Sequence, residues 1–186
     1  MISENQGKYL IGIARKSIIE YLEFRKITSI PPEVSEELLE NLGVFVTLNK
    51  NSQLRGCIGY IEASNPLIEL TIQSAIMAAT NDSRFENVTI EELDEIDIEI
   101  TILTKPKLIK VLEPNEYLDK IKIGVDGLIV EKGFNKGVLL PQVPVENNWD
   151  VREFLEYTCL KAGLPTNAWL GLDTLIYSFQ GQIIKE

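Results

Sequence analysis

Hydrophobic residues recur at two different spacings along this chain, and the two spacings predict helices and strands. From Lys8 to Phe24 the apolar residues return every three or four positions, which predicts an amphipathic helix. The same spacing predicts a helix after Pro66 and another that begins at Asp150 and ends near Gly163. In Ile96–Leu103 isoleucines alternate with polar residues, which predicts a strand with one face in water.

The predicted strands are joined mostly by short turns, and this sets the fold class. Val44–Leu48 and Gln53–Ile61 read as one hairpin, and Leu128–Glu131 and Val138–Leu140 as a second one. The tail, Leu175–Ile184, reads as a final strand. Because strands do not alternate regularly with helices, we predict an α+β fold with a mainly antiparallel sheet flanked by helices.

Composition and charge narrow the functional class. The 186 residues, 45% hydrophobic and 25% charged, suit one domain or two small lobes that share a core. No apolar run is long enough to span a bilayer, and the N-terminus lacks the pattern of a secretory signal, so we expect a soluble cytoplasmic protein. The frequent Ile, Lys and Glu residues point to a thermophilic source. A net charge of −10 disfavours stable nucleic-acid binding by this chain alone.

The absence of histidine excludes several kinds of site at once. It removes catalytic Ser-His-Asp and Cys-His groups, zinc sites with histidine ligands and imidazole proton transfer. The two cysteines, Cys57 and Cys159, lie far apart and show no metal-ligand spacing, so we predict no metal site. No motif indicates a particular cofactor. Cys159 stands on an apolar helix, where packing explains it.

Residues 54–59, with the sequence LRGCIG, are the most informative segment, and we call them the hexad. Alternate residues of a strand point the same way, so Arg55 and Cys57 are predicted to share a face. Gly56 and Gly59 then leave room for a ligand beside the backbone, or they mark a bulge against a packed helix. The candidate binding residues are Leu54, Arg55, Gly56, Cys57, Ile58 and Gly59, together with Asp82, Arg84, Glu131 and Gln142.

Each of the reactive groups has two interpretations. Cys57 is a catalytic thiolate, activated by Arg55 or by backbone N–H groups, or it is a small buried residue. Arg55 binds a carboxylate or phosphate ligand, or it forms a structural ion pair. The predicted partner in that ion pair is Glu62, Asp97 or Glu99. Asp82 and Arg84 belong to the site, or they form a local ion pair that holds their loop.

Several ordered blocks resemble the AMMECR-type family. They are the hexad, the Asn81–Phe85 segment with its Asp-x-Arg-Phe pattern, and the Gly137–Val143 segment. The resemblance implies a single domain over residues 1–186. It also implies two unequal lobes with a cleft between them and both termini in the larger lobe.

The resemblance has functional implications as well. It implies partners of the Memo and radical-SAM types and a role in RNA modification. Two functions follow as alternatives. In the first, the hexad lines a ligand or substrate site of an enzyme or accessory factor. In the second, the hexad is structural and the chain is a non-catalytic interaction module that binds another protein.

Overall fold

The computed structural model describes residues 1–186, and the chain divides into two compact units. The first unit comprises Met1–Leu103 and Gln182–Glu186, and the second comprises Thr104–Gly181. Five α-helices and two four-stranded sheets make up the regular structure, which confirms the α+β prediction. None of the helices has the length and apolar character needed to cross a membrane.

The elements are numbered in chain order. The helices are α1 (Glu4–Phe24), α2 (Leu67–Thr80), α3 (Tyr117–Lys120), α4 (Gln142–Glu146) and α5 (Val151–Lys161). The strands are β1 (Val44–Lys50), β2 (Gln53–Tyr60), β3 (Ile96–Leu103), β4 (Lys107–Leu108), β5 (Gly127–Lys132), β6 (Asn135–Leu139), β7 (Leu175–Phe179) and β8 (Gly181–Lys185).

The sheet of the first unit has the strand order β2-β1-β3-β8, which leaves β2 at one edge. Strand β1 pairs antiparallel with both β2 and β3. One face of the sheet packs against α1 and α2, and there every second residue of β1 and β3 is buried. The opposite face carries Phe45 and Thr47 of β1, which are only half-buried. The alternation of apolar and polar residues in β3 therefore has the predicted cause, since one face of the strand packs in the core and the other face is polar.

Helix α1 begins four residues earlier than its apolar pattern predicts. A capping box explains the difference, because Gln6 N–H donates to Ser3 Oγ at 3.3 Å and Ser3 N–H donates to Gln6 Oε1 at 2.8 Å. These side chains satisfy N–H groups that would otherwise lack partners at the helix start. The first turn of α1 is thus set by polar capping rather than by apolar periodicity.

The second unit has its own sheet, in the order β4-β7-β5-β6, and its own core. Helix α5 begins with the predicted capping box, in which Glu153 N–H donates to Asp150 Oδ1 at 2.8 Å and Asp150 N–H donates to Glu153 Oε2 at 2.9 Å. The helix is followed by Gly163 with φ of +72°, as predicted. Phe154 and Leu155 of α5 and Trp169 are buried in this core.

The predicted C-terminal strand, Leu175–Ile184, is wrong as a single strand. It is two strands, β7 in the second sheet and β8 in the first. Gln180 separates them, and its backbone hydrogen bonds go to Thr104 instead of a sheet neighbour, at 2.8 and 2.9 Å. The residues Gln180, Gly181 and Gln182 interrupt the apolar pattern at this point, and a glycine within a strand pattern is a signal for such a break.

Candidate functional site

The hexad lies on the edge strand β2, next to β1. In the register of this hairpin, Thr47 stands opposite Cys57 and Phe45 opposite Gly59. Since β2 has only one neighbouring strand, every second residue directs its peptide groups to a free edge of the sheet. The chemistry of the hexad therefore depends on what lies at that edge.

A β-bulge interrupts the hexad at Arg55. Gly56 pairs with Leu48, but the next pair is Leu54 with Asn49, so Arg55 has no partner on β1. An extra residue of this kind breaks the alternation of a strand. The period of two consequently does not extend from Cys57 to Arg55, and the two side chains have separate partners.

The guanidinium of Arg55 binds the loop between α2 and β3. It contacts Glu92 through Nη2 at 2.7 Å and Nε at 3.3 Å. It also donates to the carbonyl oxygens of Glu86 at 2.7 Å and Asn87 at 3.3 Å. Its carboxylate partner is Glu92 and none of the three acidic residues that the sequence suggested. Lys50 Nζ lies 3.2 Å from the same Glu92.

The charges around Glu92 determine its ionisation. Burial raises the pKa of Glu92, but hydrogen bonds from Arg55, from Thr89 N–H and from Lys50 outweigh burial and lower the pKa overall. Glu92 thus stays ionised at neutral pH. Arg55, whose side chain is only 17% exposed, holds β2 to the loop that carries this carboxylate.

Replacing Arg55 by lysine is expected to lower the free energy of unfolding by about 1–3 kcal/mol, because the charge remains but the planar fork is lost. A lysine ammonium cannot reach Glu92 and two carbonyl oxygens in the geometry that the guanidinium uses. Urea unfolding monitored by circular dichroism measures the change. The matched control is Lys8→Ala, which removes an exposed i,i+4 pair and should leave the midpoint unchanged. An unchanged midpoint for Arg55→Lys would show that the fork is not needed.

The thiol of Cys57 is half-buried on the face of the sheet that carries Thr47. Its Sγ lies 3.2 Å from Thr47 Oγ1. Burial raises the pKa of Cys57, and the hydrogen bond from Thr47 and the charge of Arg84 lower it by less. The raised pKa therefore favours the protonated thiol at neutral pH.

Asp82 and Arg84 occupy the free edge of β2 beside Cys57. Cys57 N–H donates to Asp82 Oδ2 at 2.9 Å. Arg84 donates to Asp82 through Nη2 at 2.7 Å and Nε at 2.9 Å, and its Nη2 lies 3.5 Å from the Cys57 carbonyl oxygen. The hydrogen bonds from Arg84 hold the pKa of Asp82 far below its ordinary value. The pair therefore takes the place of a neighbouring strand at this position.

Both glycines of the hexad are required by close backbone packing. A Cβ at Gly56 would lie 2.2 Å from the carbonyl oxygen of Ala78 in α2. A Cβ at Gly59 would lie 2.2 Å from the carbonyl oxygen of Val44 in β1. Gly56 therefore lets α2 pack directly on β2, next to the bulge.

The remaining hexad residues lie at different depths. Ile58 is partly buried against the core of the first unit, and Leu54 is 41% exposed near the tip of the hairpin. An open depression of about 380 Å³ lies at this tip, beside the turn at residues 51–52. It is lined by Lys50, Asn51, Gln53, Leu54 and Arg55.

The structure brings together most of the predicted site residues. The hexad, Asp82 and Arg84 lie within the first unit. Glu131 and Gln142 belong to the second unit, where Glu131 pairs with Lys136 at 2.7 Å and Gln142 is an exposed residue at the start of α4. Cys159 is fully buried in the core of that unit, which confirms its packing role. No group of three acidic or cysteine side chains is arranged to hold a metal ion.

Glu92 and Thr47 are the residues that sequence reasoning missed. Glu92 follows Thr89 at the spacing of a capping box, and Thr89 N–H does donate to Glu92 Oε1 at 3.1 Å. Only the three-residue 3-10 turn Leu93–Glu95 follows, however, so the spacing does not start an α-helix. Thr47 has a weaker signal, since it is a polar residue between the apolar positions of β1.

Comparisons with known proteins agree with this architecture. The family model described as AMMECR1 matches residues 11–184. A protein of Methanothermobacter thermautotrophicus is 48% identical over 185 residues, covering 100% of this chain and 96% of the relative. Protein MJ0810 of Methanocaldococcus jannaschii is 50% identical over 188 residues, covering 100% of this chain and 92% of the relative.

A solved structure extends the likeness to three dimensions. The crystal structure of the uncharacterized protein PH0010 from Pyrococcus horikoshii superposes with a TM-score of 0.86 at 48% sequence identity. The match covers 100% of this chain and 93% of that one. The family model and the relatives both extend over nearly the whole sequence, including the hexad and the Asp82–Arg84 loop. The chain therefore belongs to the AMMECR1 family.

Proposed function

We propose that this chain is a non-covalent binding protein in which the hexad strand and the Asp82–Arg84 pair form the binding element. The observation that carries the proposal is the environment of Cys57, whose Sγ lies 3.2 Å from Thr47 Oγ1 and whose backbone N–H donates to Asp82 Oδ2 at 2.9 Å. Burial there raises the pKa of the thiol. In this arrangement Cys57 is an uncharged contact residue.

Nucleophilic catalysis by Cys57 would need a thiolate or an adjacent base. Thr47 is the hydrogen-bond partner of the sulfur, and a threonine hydroxyl is too weak a base to deprotonate a thiol. Asp82 contacts the backbone N–H of Cys57, and Arg84 holds its negative charge. With no histidine in the chain, no imidazole can act as that base.

A binding role agrees with the partners that the family resemblance implies. A Memo-type or radical-SAM protein would supply the reactive groups that this chain lacks, and this chain would act as an accessory factor. Within an RNA-modification pathway it would contact the protein partner and not the RNA, because its net charge of −10 repels a phosphate backbone.

The alternative is an interaction module in which the hexad is only structural. Arg55 and Gly56 favour this structural role, because the Arg55 guanidinium binds Glu92 and a backbone carbonyl oxygen and Gly56 packs against α2. Arg84 favours a binding role for the other end of the hexad, since its side chain is 55% exposed and its Nη1 makes no hydrogen bond within the chain.

Alkylation of Cys57 across a pH series tests the absence of a covalent step. We expect slow labelling in the folded protein and an apparent pKa above the ordinary free-thiol value of about 8.5, because burial disfavours the thiolate. Mass mapping separates Cys57 from Cys159, and Cys57→Ser is the control that reports any labelling of the buried Cys159. Rapid labelling with an apparent pKa well below that value would overturn the proposal.

A further inference from the structure

We propose that the free edge of β2 at Gly59 binds an extended peptide segment as an added strand, and that Arg84 binds an acidic residue of that segment. The inference rests on the proposed function and deepens it, because it names the ligand class of the same binding element. It follows from the register of the hairpin, from the extent of the Asp82–Arg84 cap and from the unused hydrogen-bonding capacity of Arg84.

The register shows which peptide groups of β2 face away from β1. Cys57 N–H donates to Asp82, so the pair of Cys57 with Thr47 is one in which β2 and β1 exchange no ladder hydrogen bonds. Such pairs recur every two residues, and the register continues unbroken to Gly59 opposite Phe45. The N–H and the C=O of Gly59 therefore both point to the free edge, and neither group makes a hydrogen bond within the chain.

The cap formed by Asp82 and Arg84 ends before Gly59. Asp82 satisfies Cys57 N–H, and Arg84 Nη2 lies 3.5 Å from the Cys57 carbonyl oxygen. The next two groups along the edge, Gly59 N–H and Gly59 C=O, are the donor and acceptor that an added strand would use. Residues 56–60 contain no proline and no charged side chain, two of the features that protect an edge strand from pairing.

Arg84 supplies charge complementarity next to this edge. Asp82 engages Nε and Nη2 of the guanidinium, while Nη1 has no acceptor in the chain. Because Nη2 reaches the Cys57 carbonyl, the guanidinium stands beside the position that an added strand would occupy. A carboxylate on that strand would accept a hydrogen bond from Nη1 in which both groups are charged, whereas a neutral acceptor would form a weaker bond and a basic residue none.

Selection of a displayed random octapeptide library on the full-length chain tests the proposal. We expect the selected peptides to carry Asp or Glu at one fixed position. On binding, each synthesised peptide should slow hydrogen exchange of the Gly59 amide, measured by NMR, at least about 10-fold, as a new backbone hydrogen bond would. A copy of the same peptide that is N-methylated at alternate residues is the control, because it cannot pair as a strand.

The contribution of Arg84 is tested by removing the charge from the peptide and, separately, from the protein. Replacing the acidic residue of the peptide by its amide should weaken binding to the unchanged protein about 10-fold, because the hydrogen bond to Arg84 loses its charged acceptor. Arg84→Gln should remove this preference, so that both peptides bind alike. The peptide change needs no protein variant, and it therefore stays informative even if Arg84→Gln unfolds.

Three outcomes would overturn the inference. They are the absence of enriched peptides, equal binding of the N-methylated copy, and unchanged exchange of the Gly59 amide on binding. Each of these leaves the proposed non-covalent function to be judged by the Cys57 labelling experiment. A low apparent pKa of Cys57 would instead contradict the proposed function, and it would leave the peptide measurements unaffected.

Discussion

Replacing Asp82 by alanine is expected to lower the free energy of unfolding by about 2–4 kcal/mol, because several charge-assisted hydrogen bonds to a buried carboxylate are lost together. The side chain of Asp82 is only 5% exposed and accepts hydrogen bonds from Cys57 N–H, from Arg84 N–H and from the Arg84 guanidinium. Without it, the N–H of Cys57 loses its partner at the edge of the sheet. Urea unfolding at neutral pH measures the loss.

The matched control for this variant is an exposed ion pair in the second unit. Asp173 lies 2.9 Å from Lys132, but 70% of the Asp173 side chain is exposed. Asp173→Ala should leave the unfolding midpoint unchanged, since exposed pairs contribute little. Equal effects of the two substitutions would contradict the structural role of Asp82.

The lowered pKa of Asp82 also predicts how stability depends on pH. Its pKa is depressed in the folded protein, so the unfolded chain binds the proton first as the pH falls. The stabilisation from the ionised carboxylate is complete above the unfolded value of about 4, and it is lost progressively as the pH falls below that value. Asp82→Asn should therefore show a smaller loss of stability than the wild type between pH 4 and pH 2. If the free energies of unfolding of Asp82→Asn and the wild type fell equally between pH 4 and pH 2, the lowered pKa of Asp82 would be contradicted.

Replacing Gly56 by alanine is expected to destabilise the first unit by about 3 kcal/mol or more, because a new methyl group would meet fixed backbone. The added Cβ would lie 2.2 Å from the Ala78 carbonyl oxygen, so α2 or β2 must move. Alanine also restricts the unfolded chain, but this favours folding by only about 0.4–1 kcal/mol and does not compensate. Thermal and urea unfolding would both register the loss.

Gly12 provides the control for this substitution. It lies in α1, and a Cβ added there would have no atom within 4 Å. Gly12→Ala should stabilise the protein by about 0.5–1 kcal/mol, because alanine favours the helix and clashes with nothing. If Gly56→Ala also stabilised the protein, as expected of Gly12→Ala, this result would contradict a close contact between α2 and the hexad.

Local patterns predict much of this fold. The alternating residues of β3, the hairpin of β5 and β6 and the capping box of α5 depend on residues within a few positions of one another. Their physical causes are the pleat of a strand, the chemistry of a turn and the unpaired N–H groups of a helix start. The hexad and the Asp82–Arg84 pair are also recognisable from short stretches of sequence. The hexad combines an arginine, a cysteine and two glycines within six residues, and Asp82 and Arg84 are opposite charges two residues apart.

The partners of the candidate site have a different origin. Arg55 and Glu92 are 37 residues apart, and the N–H of Cys57 meets a carboxylate 25 residues away. No period or spacing relates positions so distant, because only the packing of α2 on β2 brings the loop after the helix to the edge of the strand. The bulge at Arg55 has a signal in the sequence, since Gly56 predicts a bulge against a packed helix, but only the structure shows that Arg55 is the extra residue and that α2 is the helix.

The sequence by itself determined the fold class, most of the elements and the segment that carries the distinctive chemistry, because these depend on periodicity and residue type along short stretches. Only the tertiary structure decided that Arg55 is bound to Glu92, that burial raises the pKa of the Cys57 thiol and that the C-terminal tail supplies one strand to each sheet. These outcomes depend on burial and on contacts between distant segments. Both arise only after the chain has folded.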